Sequence, residues 1–235
     1  MQGVTFDNNS TMKQLLIPIF GLIFTFGHAQ DWANLNRFKN DNKLIMSIQI
    51  ADPLVVFMGN SITEGWLNKK LTFFDNPAFI NRGIGGQTTS QMVLRFRQDV
   101  IDLKPKAVVI LAGINDIAEN QGPITLEDIF GNIKSMCELA SQNNIEIVLC
   151  SVLPAKEFPW RMHINPIKKV AELNKLLKEY ASQKDLIYVD YYEALVTKDY
   201  GLPKELTNDE VHLTIKGYQA LEPMLMRGIT KALSN

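Results

Sequence analysis

Four short blocks of this chain carry side chains suited to acyl transfer. Gly59-Asn60-Ser61-Ile62-Thr63-Glu64-Gly65 offers a hydroxyl. Asn81-Arg82-Gly83-Ile84-Gly85-Gly86-Gln87-Thr88-Thr89 offers glycine backbone N–H groups. Gly113-Ile114-Asn115-Asp116 offers a side-chain amide, and Asp209-Glu210-Val211-His212 offers an imidazole with a carboxylate three residues before it. A nucleophile, donors for an oxyanion, a base, and an acid to orient the base are the parts such chemistry needs. At a separation of three, one turn can present Asp209 and His212 on the same side.

Each block also has a plainer reading. Ser61 and Glu64 match the capping-box spacing S-x-x-E, so Ser61 is expected to cap a short helix. Capping and nucleophilicity are compatible, because the helix dipole favours negative charge there. Gly85-Gly86 reads as a tight turn. It fails as a dinucleotide fingerprint, since G-x-G-x-x-G needs glycine where Thr88 stands, and no GK[ST] phosphate loop exists. Asn115 and Asp116 suit a turn, Asp209 a loop, and His212 a solvated surface.

Scarcity weighs against that reading of His212. If a leader ending at Ala29 is removed, His163 and His212 are the only histidines left, and no acid precedes His163 by three. Two histidines without H-x-x-x-H or clustered acids make a poor zinc site, so no metal and no other cofactor is expected.

These blocks need a scaffold. Near-continuous apolar runs at Leu54–Met58, Phe79–Arg82, Ala107–Leu111, Ile145–Leu149 and Leu186–Asp190 read as strands buried on both faces. Amphipathic helices fall between them. Met92, Phe96, Val100 and Leu103 line one helix. Leu126, Ile129, Phe130, Ile133, Cys137 and Ala140 line the next, with Thr125 and Asp128 as its capping pair. Asn165-Pro166 opens a third, with Ile167, Val170, Leu173 and Leu177 inward. Thr214 caps a last one carrying Tyr218, Leu221, Leu225 and Ile229. A short helix around Trp32, Leu35 and Phe38 is expected to pack outside the sheet. The alternation predicts an α/β fold, a three-layer α/β/α sandwich on a five-stranded parallel sheet. In such sheets ligands bind beyond the carboxyl ends of the strands. Three of the blocks directly follow strands, and the fourth lies between the fifth strand and the final helix.

Composition sets outer limits. The 46% hydrophobic and 21% charged content places the chain with soluble globular proteins and excludes disorder or a disulfide mini-protein. A net charge of −1 excludes a basic nucleic-acid footprint, so no nucleic-acid partner is expected. Leu15 to Phe26 is apolar, short for a membrane span and suited to a signal-peptide core behind Lys13. Gly27 and Ala29 suit signal peptidase. Residues 1–29 therefore read as an N-terminal extension and signal peptide, and residues 30–235 as one catalytic domain, secreted or periplasmic, without an integral span. Residues 1–11 fit no n-region, and Met12 is the expected natural start. No cysteine near the cleavage site supports a lipid anchor. Cys137 and Cys150 are not expected to pair. One lies about 10 Å back along a helix and the other about 20 Å forward along a strand from their shared turn, against the ~5.5 Å a disulfide prefers.

GNSITEG, NRGIGGQTT, ILAGINDIA and DEVHLTIKGY together resemble the SGNH/GDSL hydrolases, from about Leu54 to Leu233, and especially their platelet-activating-factor-acetylhydrolase-like esterases. The resemblance implies a flavodoxin-like sandwich and metal-free ester hydrolysis. It implies Ser61 as nucleophile, His212 as base and Asp209 as its orienting acid. The oxyanion hole it implies is the backbone N–H groups of Ser61 and Gly86 with the Asn115 amide. Three positions depart from the family: Asn60 replaces the usual Asp, Gln87 an Asp, and Leu213 a Pro. None removes a catalytic part.

Substrate is less legible. Ser151 to Arg161 follows the fourth strand and should border the pocket, where Phe158 and Trp160 could bind substrate by stacking on a sugar or gripping an acyl chain. Covering the core edge is as good a reading for them, and for Trp66, Phe73 and Phe74. No apolar lid is evident. The expected substrates are short-chain esters, above all O-acetyl groups on carbohydrate. A lysophospholipase or broad arylesterase on the same triad is the alternative, and a non-catalytic glycan-binding protein is a third. Oligomeric state is not legible.

Overall fold

A computed structural model describes residues 31–48, 53–67 and 70–235. The leader features (Lys13, Leu15 to Phe26, Gly27, Ala29) and the Met12 start lie outside the described residues.

Five strands form one sheet: β1 (Val55–Gly59), β2 (Phe79–Gly83), β3 (Ala107–Leu111), β4 (Glu146–Cys150) and β5 (Ile187–Val189). Their order is β2-β1-β3-β4-β5 and every pairing is parallel. Gly59 aligns with Gly83 and Leu111, so the first three strands end level with one another. All five residues of β1 and of β3 are buried, as apolar runs covered on both faces must be.

The helices are α1 (Lys39–Ser47), α2 (Ser61–Gly65), α3 (Thr89–Asp99), α4 (Ile114–Ile117), α5 (Leu126–Gln142), α6 (Ile167–Gln183), α7 (Tyr191–Leu195) and α8 (Ile215–Ser234). Helix α5 packs between α3 and α6 as one layer, and α8 covers β3, β4 and β5. The α/β class, with helices flanking a five-stranded parallel sheet, follows the sequence reading. Thr125 accepts the Asp128 N–H and Thr214 the Gly217 N–H, each satisfying a helix-start donor. Among the described residues no helix is long and apolar enough to cross a membrane.

Two expectations change. Met92, Phe96, Val100 and Leu103 are all buried, but α3 stops at Asp99 and a 3-10 turn over Ile101–Leu103 carries the last of them. The N-terminal helix begins after Phe38, while Trp32 and Leu35 lie in preceding turns. That earlier segment is a strap. The Asp31 carboxylate accepts the Leu35 N–H and both the backbone and side-chain N–H of Asn36. Three glutamine amides then donate to its carbonyls: Gln91 to Trp32 (2.8 Å), Gln87 to Ala33 (2.7 Å) and Gln98 to Leu35 (2.6 Å).

Buried charge holds α1 to the ends of β1 and β2. Arg95 and Asp99 are both fully buried and pair at 3.1 Å. The Arg95 guanidinium also donates to Gln87 Oε1 and to the carbonyls of Gly59 and Arg82. Burial pulls its pKa down and Asp99 pushes it back up. Asn42 of α1 bridges the Arg82 guanidinium and the Asp99 carboxylate, and Asp41 pairs with Arg82 at 2.7 Å. Cys137 and Cys150 are buried free thiols, each pushed up to about 12 by burial.

Candidate active site

The turn after β1 differs from its expected form. Asn60, not Ser61, is the cap: its Oδ1 accepts the Ile62 N–H at 3.0 Å. Ser61 is the first residue of α2, which frees its hydroxyl. Glu64 does not reach back to the cap. Its carboxylate accepts the Gly85 N–H at 2.9 Å and so ties the second block to the first. Gly83 is needed for this approach, because a Cβ there would sit 2.2 Å from the Glu64 backbone nitrogen.

Ser61 Oγ lies 3.0 Å from His212 Nε2, although 151 residues separate them. His212 Nδ1 lies 2.7 Å from Asp209 Oδ2. The pair is not presented by a helical turn as its spacing suggests. Asp209 Oδ1 accepts the N–H groups of Val211 (3.2 Å) and His212 (2.7 Å), making a side-chain-closed loop. The His212 carbonyl is held by the Asn208 N–H and the Thr207 hydroxyl. Partial burial pushes the Asp209 carboxyl up, but the hydrogen bonds from His212 and Val211 outweigh it and hold it below the usual range. A charged Asp209 selects the tautomer with the proton on His212 Nδ1, leaving Nε2 to accept from Ser61.

Three donors face no internal acceptor. The backbone N–H groups of Ser61 and Gly86 have none among the described residues. Gly86 adopts φ +75°, open to glycine at no steric cost, and space is not the constraint since a Cβ would meet nothing within 4 Å. The Asn115 amide spends one N–H on the Gln87 carbonyl at 2.9 Å, and its Oδ1 accepts from Asn120 Nδ2 at 3.0 Å. These partners set the amide orientation and leave the second N–H unspent. Asp116, beside it, is buried and serves structure. It accepts the Thr89 N–H and hydroxyl at the start of α3, and burial raises its pKa to about 6 against those bonds.

The aromatic candidates separate. Trp160 is 42% exposed, with its ring 6.0 Å from that of His212. Phe158 corrects the sequence reading: it is fully buried, its ring tilted behind that of Trp160 at 5.4 Å, out of reach of a ligand. Trp66 is also core, stacked on Phe73, with Phe74 packed edge-on beside it. His163 is exposed in a loop. Among the described residues no three of His, Cys, Asp and Glu gather as a metal site would require.

Sequence reasoning missed four participants. Asn60 was noted only as a departure, and Glu64 only as a capping partner. Asn120 bridges inward to Asn115 and outward to the Trp160 indole N–H (3.2 Å), with no local spacing to betray it. The Gln87 side chain joins Arg95 to the strap, which needs an acceptor and a donor on one group. An Asp there would lack the donor.

Comparison with known proteins gives the family and the fold. Residues 57–220 match the GDSL-like lipase/acylhydrolase family. A crystal structure named as an acylhydrolase from Bacteroides fragilis superposes with a TM-score of 0.83 at 45% identity, covering 86% of this chain and 99% of that one. A structure named as a GDSL-like lipase from Bacteroides thetaiotaomicron gives 0.82 at 44% identity, covering 85% and 98%. Over 127 residues the chain is 32% identical to the Bacillus subtilis uncharacterized lipoprotein YqeF. That match spans 47% of this chain and about half (52%) of the relative.

Proposed function

The chain belongs to the GDSL-like lipase/acylhydrolase family, and from that premise we propose that it is an exported serine esterase removing short acyl groups, chiefly acetyl, from carbohydrate. The observation that carries this reading is the continuous chain from Ser61 through His212 to Asp209, set beside three unspent N–H donors.

The chemistry follows from those atoms. Ser61 Oγ attacks the ester carbonyl as His212 Nε2 takes its proton. Asp209 stabilises the imidazolium and keeps the ring oriented. In this reading the developing oxyanion accepts from the Ser61 and Gly86 N–H groups and the second Asn115 N–H, a reading supported by their having no acceptor among the described residues. His212 then protonates the leaving alcohol, which departs with the C–O bond electrons. Water, deprotonated by His212, attacks the acyl-enzyme and releases the acid and Ser61. No metal or cofactor enters this scheme.

A carbohydrate alcohol is favoured by the polar cavity beside the proposed centre. The cavity beside Gly85-Gly86 has a volume of about 310 Å³, at the lower end of the ~300–1,000 Å³ usual for ligand sites. Its lining includes Asp31, Asn34 and Gln121. Amides and a carboxylate suit hydroxyl groups better than a long alkyl chain. The half-exposed Asp209 and His212 leave the centre open to a bulky alcohol.

Hydrolysis of p-nitrophenyl acetate by wild type and Ser61→Ala tests the triad. Turnover lost in the variant is expected, and equal turnover would remove Ser61 as nucleophile. A series from acetate to octanoate, with acetylated oligosaccharide and lysophospholipid alongside, tests the substrate. A rate rising with chain length would favour the lysophospholipase reading instead.

A further inference from the structure

The residues after Asn115 place two adjacent amides at the rim of the site. Asn120 Oδ1 accepts the indole N–H of Trp160 at 3.2 Å. Gln121 Oε1 accepts the indole N–H of Trp32 at 3.1 Å. Both indoles are large and part exposed, at 42% and 45%. Trp160 flanks the His212 ring. Trp32 borders the cavity that Gly85 and Gly86 line on another side. A Cβ on Gly85 would lie 3.8 Å from that of Ser61, so this cavity adjoins the nucleophile.

Trp32 is fixed at both ends: its N–H by Gln121 and its carbonyl by Gln91, with Gln87 holding the next residue. Holding the N–H edge to a neighbouring amide leaves ring surface for a ligand. Around it stand Asp31, Asn34, Gln91 and Gln121. An apolar face ringed by carboxylate and amide groups matches a pyranose ring, which has an apolar C–H face and an equatorial belt of hydroxyls.

We propose that Trp32, held by Gln121 on the N-terminal strap, is the stacking platform of a second saccharide subsite in the cavity beside Gly86, binding a sugar unit of an oligomeric substrate next to the acetylated one. This rests on the carbohydrate-esterase reading and deepens it. The strap is then part of the substrate site rather than packing on the outside of the sheet.

The test compares wild type, Trp32→Ala, Trp32→Phe and Gln121→Leu on acetylated xylotetraose and on p-nitrophenyl acetate. Trp32→Ala is expected to raise KM for the oligosaccharide roughly five- to tenfold, the scale of one lost aromatic contact. Its kcat/KM should fall much further on the oligosaccharide than on the small ester. Trp32→Phe keeps a ring face and should recover most of the loss, and Gln121→Leu should lie between. Calorimetric binding of the same oligosaccharide to Ser61→Ala, with and without Trp32→Ala, reads the subsite without turnover. Equal losses on both esters, or unchanged KM and affinity, would overturn the subsite. So would a Trp32→Ala effect that grows with acyl-chain length on p-nitrophenyl esters, which would assign the cavity to the acyl group. Failure of the parent reading looks different: wild type would cleave p-nitrophenyl acetate and leave acetylated saccharides untouched, and the subsite would fall with it.

Discussion

In the proposed mechanism His212 acts as base only while neutral, and Asp209 orients it only while charged. The bonds from His212 and Val211 hold the Asp209 carboxyl below the usual range, so Asp209 stays ionised to lower pH than a free carboxyl would. Activity should therefore fall on the acid side, since a protonated imidazole cannot act as base. A profile flat between about pH 5 and 8 would contradict its role as base. Asn115→Ala should lower turnover by about 10²–10³, as loss of an oxyanion donor does. Asn120→Asp turns a donor facing Asn115 Oδ1 into an acceptor. It should rotate the Asn115 amide and lower kcat at least about tenfold, the effect of ~1.4 kcal/mol on the barrier, with KM for small esters little changed. Steady-state kinetics of both variants on one acetate ester check this pair. At this scale the blocks holding Ser61, Gly86, Asn115, Asp209 and His212 were legible from residue types and spacing, while the individual roles proposed for them came with the family resemblance. It did not show that Asn60 would take the cap, because both residues can accept at a helix start and only backbone geometry selects one.

Among the elements, the ends of β1 and β2 and the body of α3 are joined by one buried guanidinium. Arg95→Met would leave the buried Asp99 hydrogen-bonded to Asn42 and Gln98, with Arg82 as its remaining nearby charge, and would take one donor each from the Gly59 and Arg82 carbonyls. Breaking a buried pair from one side costs about 3–5 kcal/mol, so urea unfolding should show a clearly lower midpoint. Asp116 sets a pH dependence of the opposite sign to a salt-bridged acid. Its folded pKa of about 6 lies above the ordinary 3.8, so the folded state binds more protons between those values. Stability from this group is greatest below its unfolded pKa, falls as pH rises from about 4 to about 6, and stays reduced above. Asp116→Asn should flatten that fall, as denaturant titrations across the range would show. The strands were legible because burial on both faces leaves a continuous apolar run, a signal in one dimension. The end of α3 was not, since Val100 and Leu103 keep the helical apolar period while the chain has already passed into a 3-10 turn.

For the whole molecule, the proposed export and the proposed subsite meet at the strap. Cleavage after Ala29 would leave Asp31 and Trp32 in the mature protein, so export should retain the cleft intact. N-terminal sequencing of protein secreted by a bacterial host should read from Gln30, and retention of the apolar run in the mature protein would mean an anchor instead. What the sequence determined by itself is the order of strands and helices and the loops that hold chemistry, because local patterning and the parallel α/β rule suffice for both. What only the tertiary structure decided is which aromatic faces solvent and which amide holds it. Phe158 and Trp160 lie two residues apart, yet one is core and the other rim. Trp32 meets Gln121 across 89 residues. Exposure and pairing of this kind belong to the packed surface, where partners come from distant parts of the chain and no spacing along it records them.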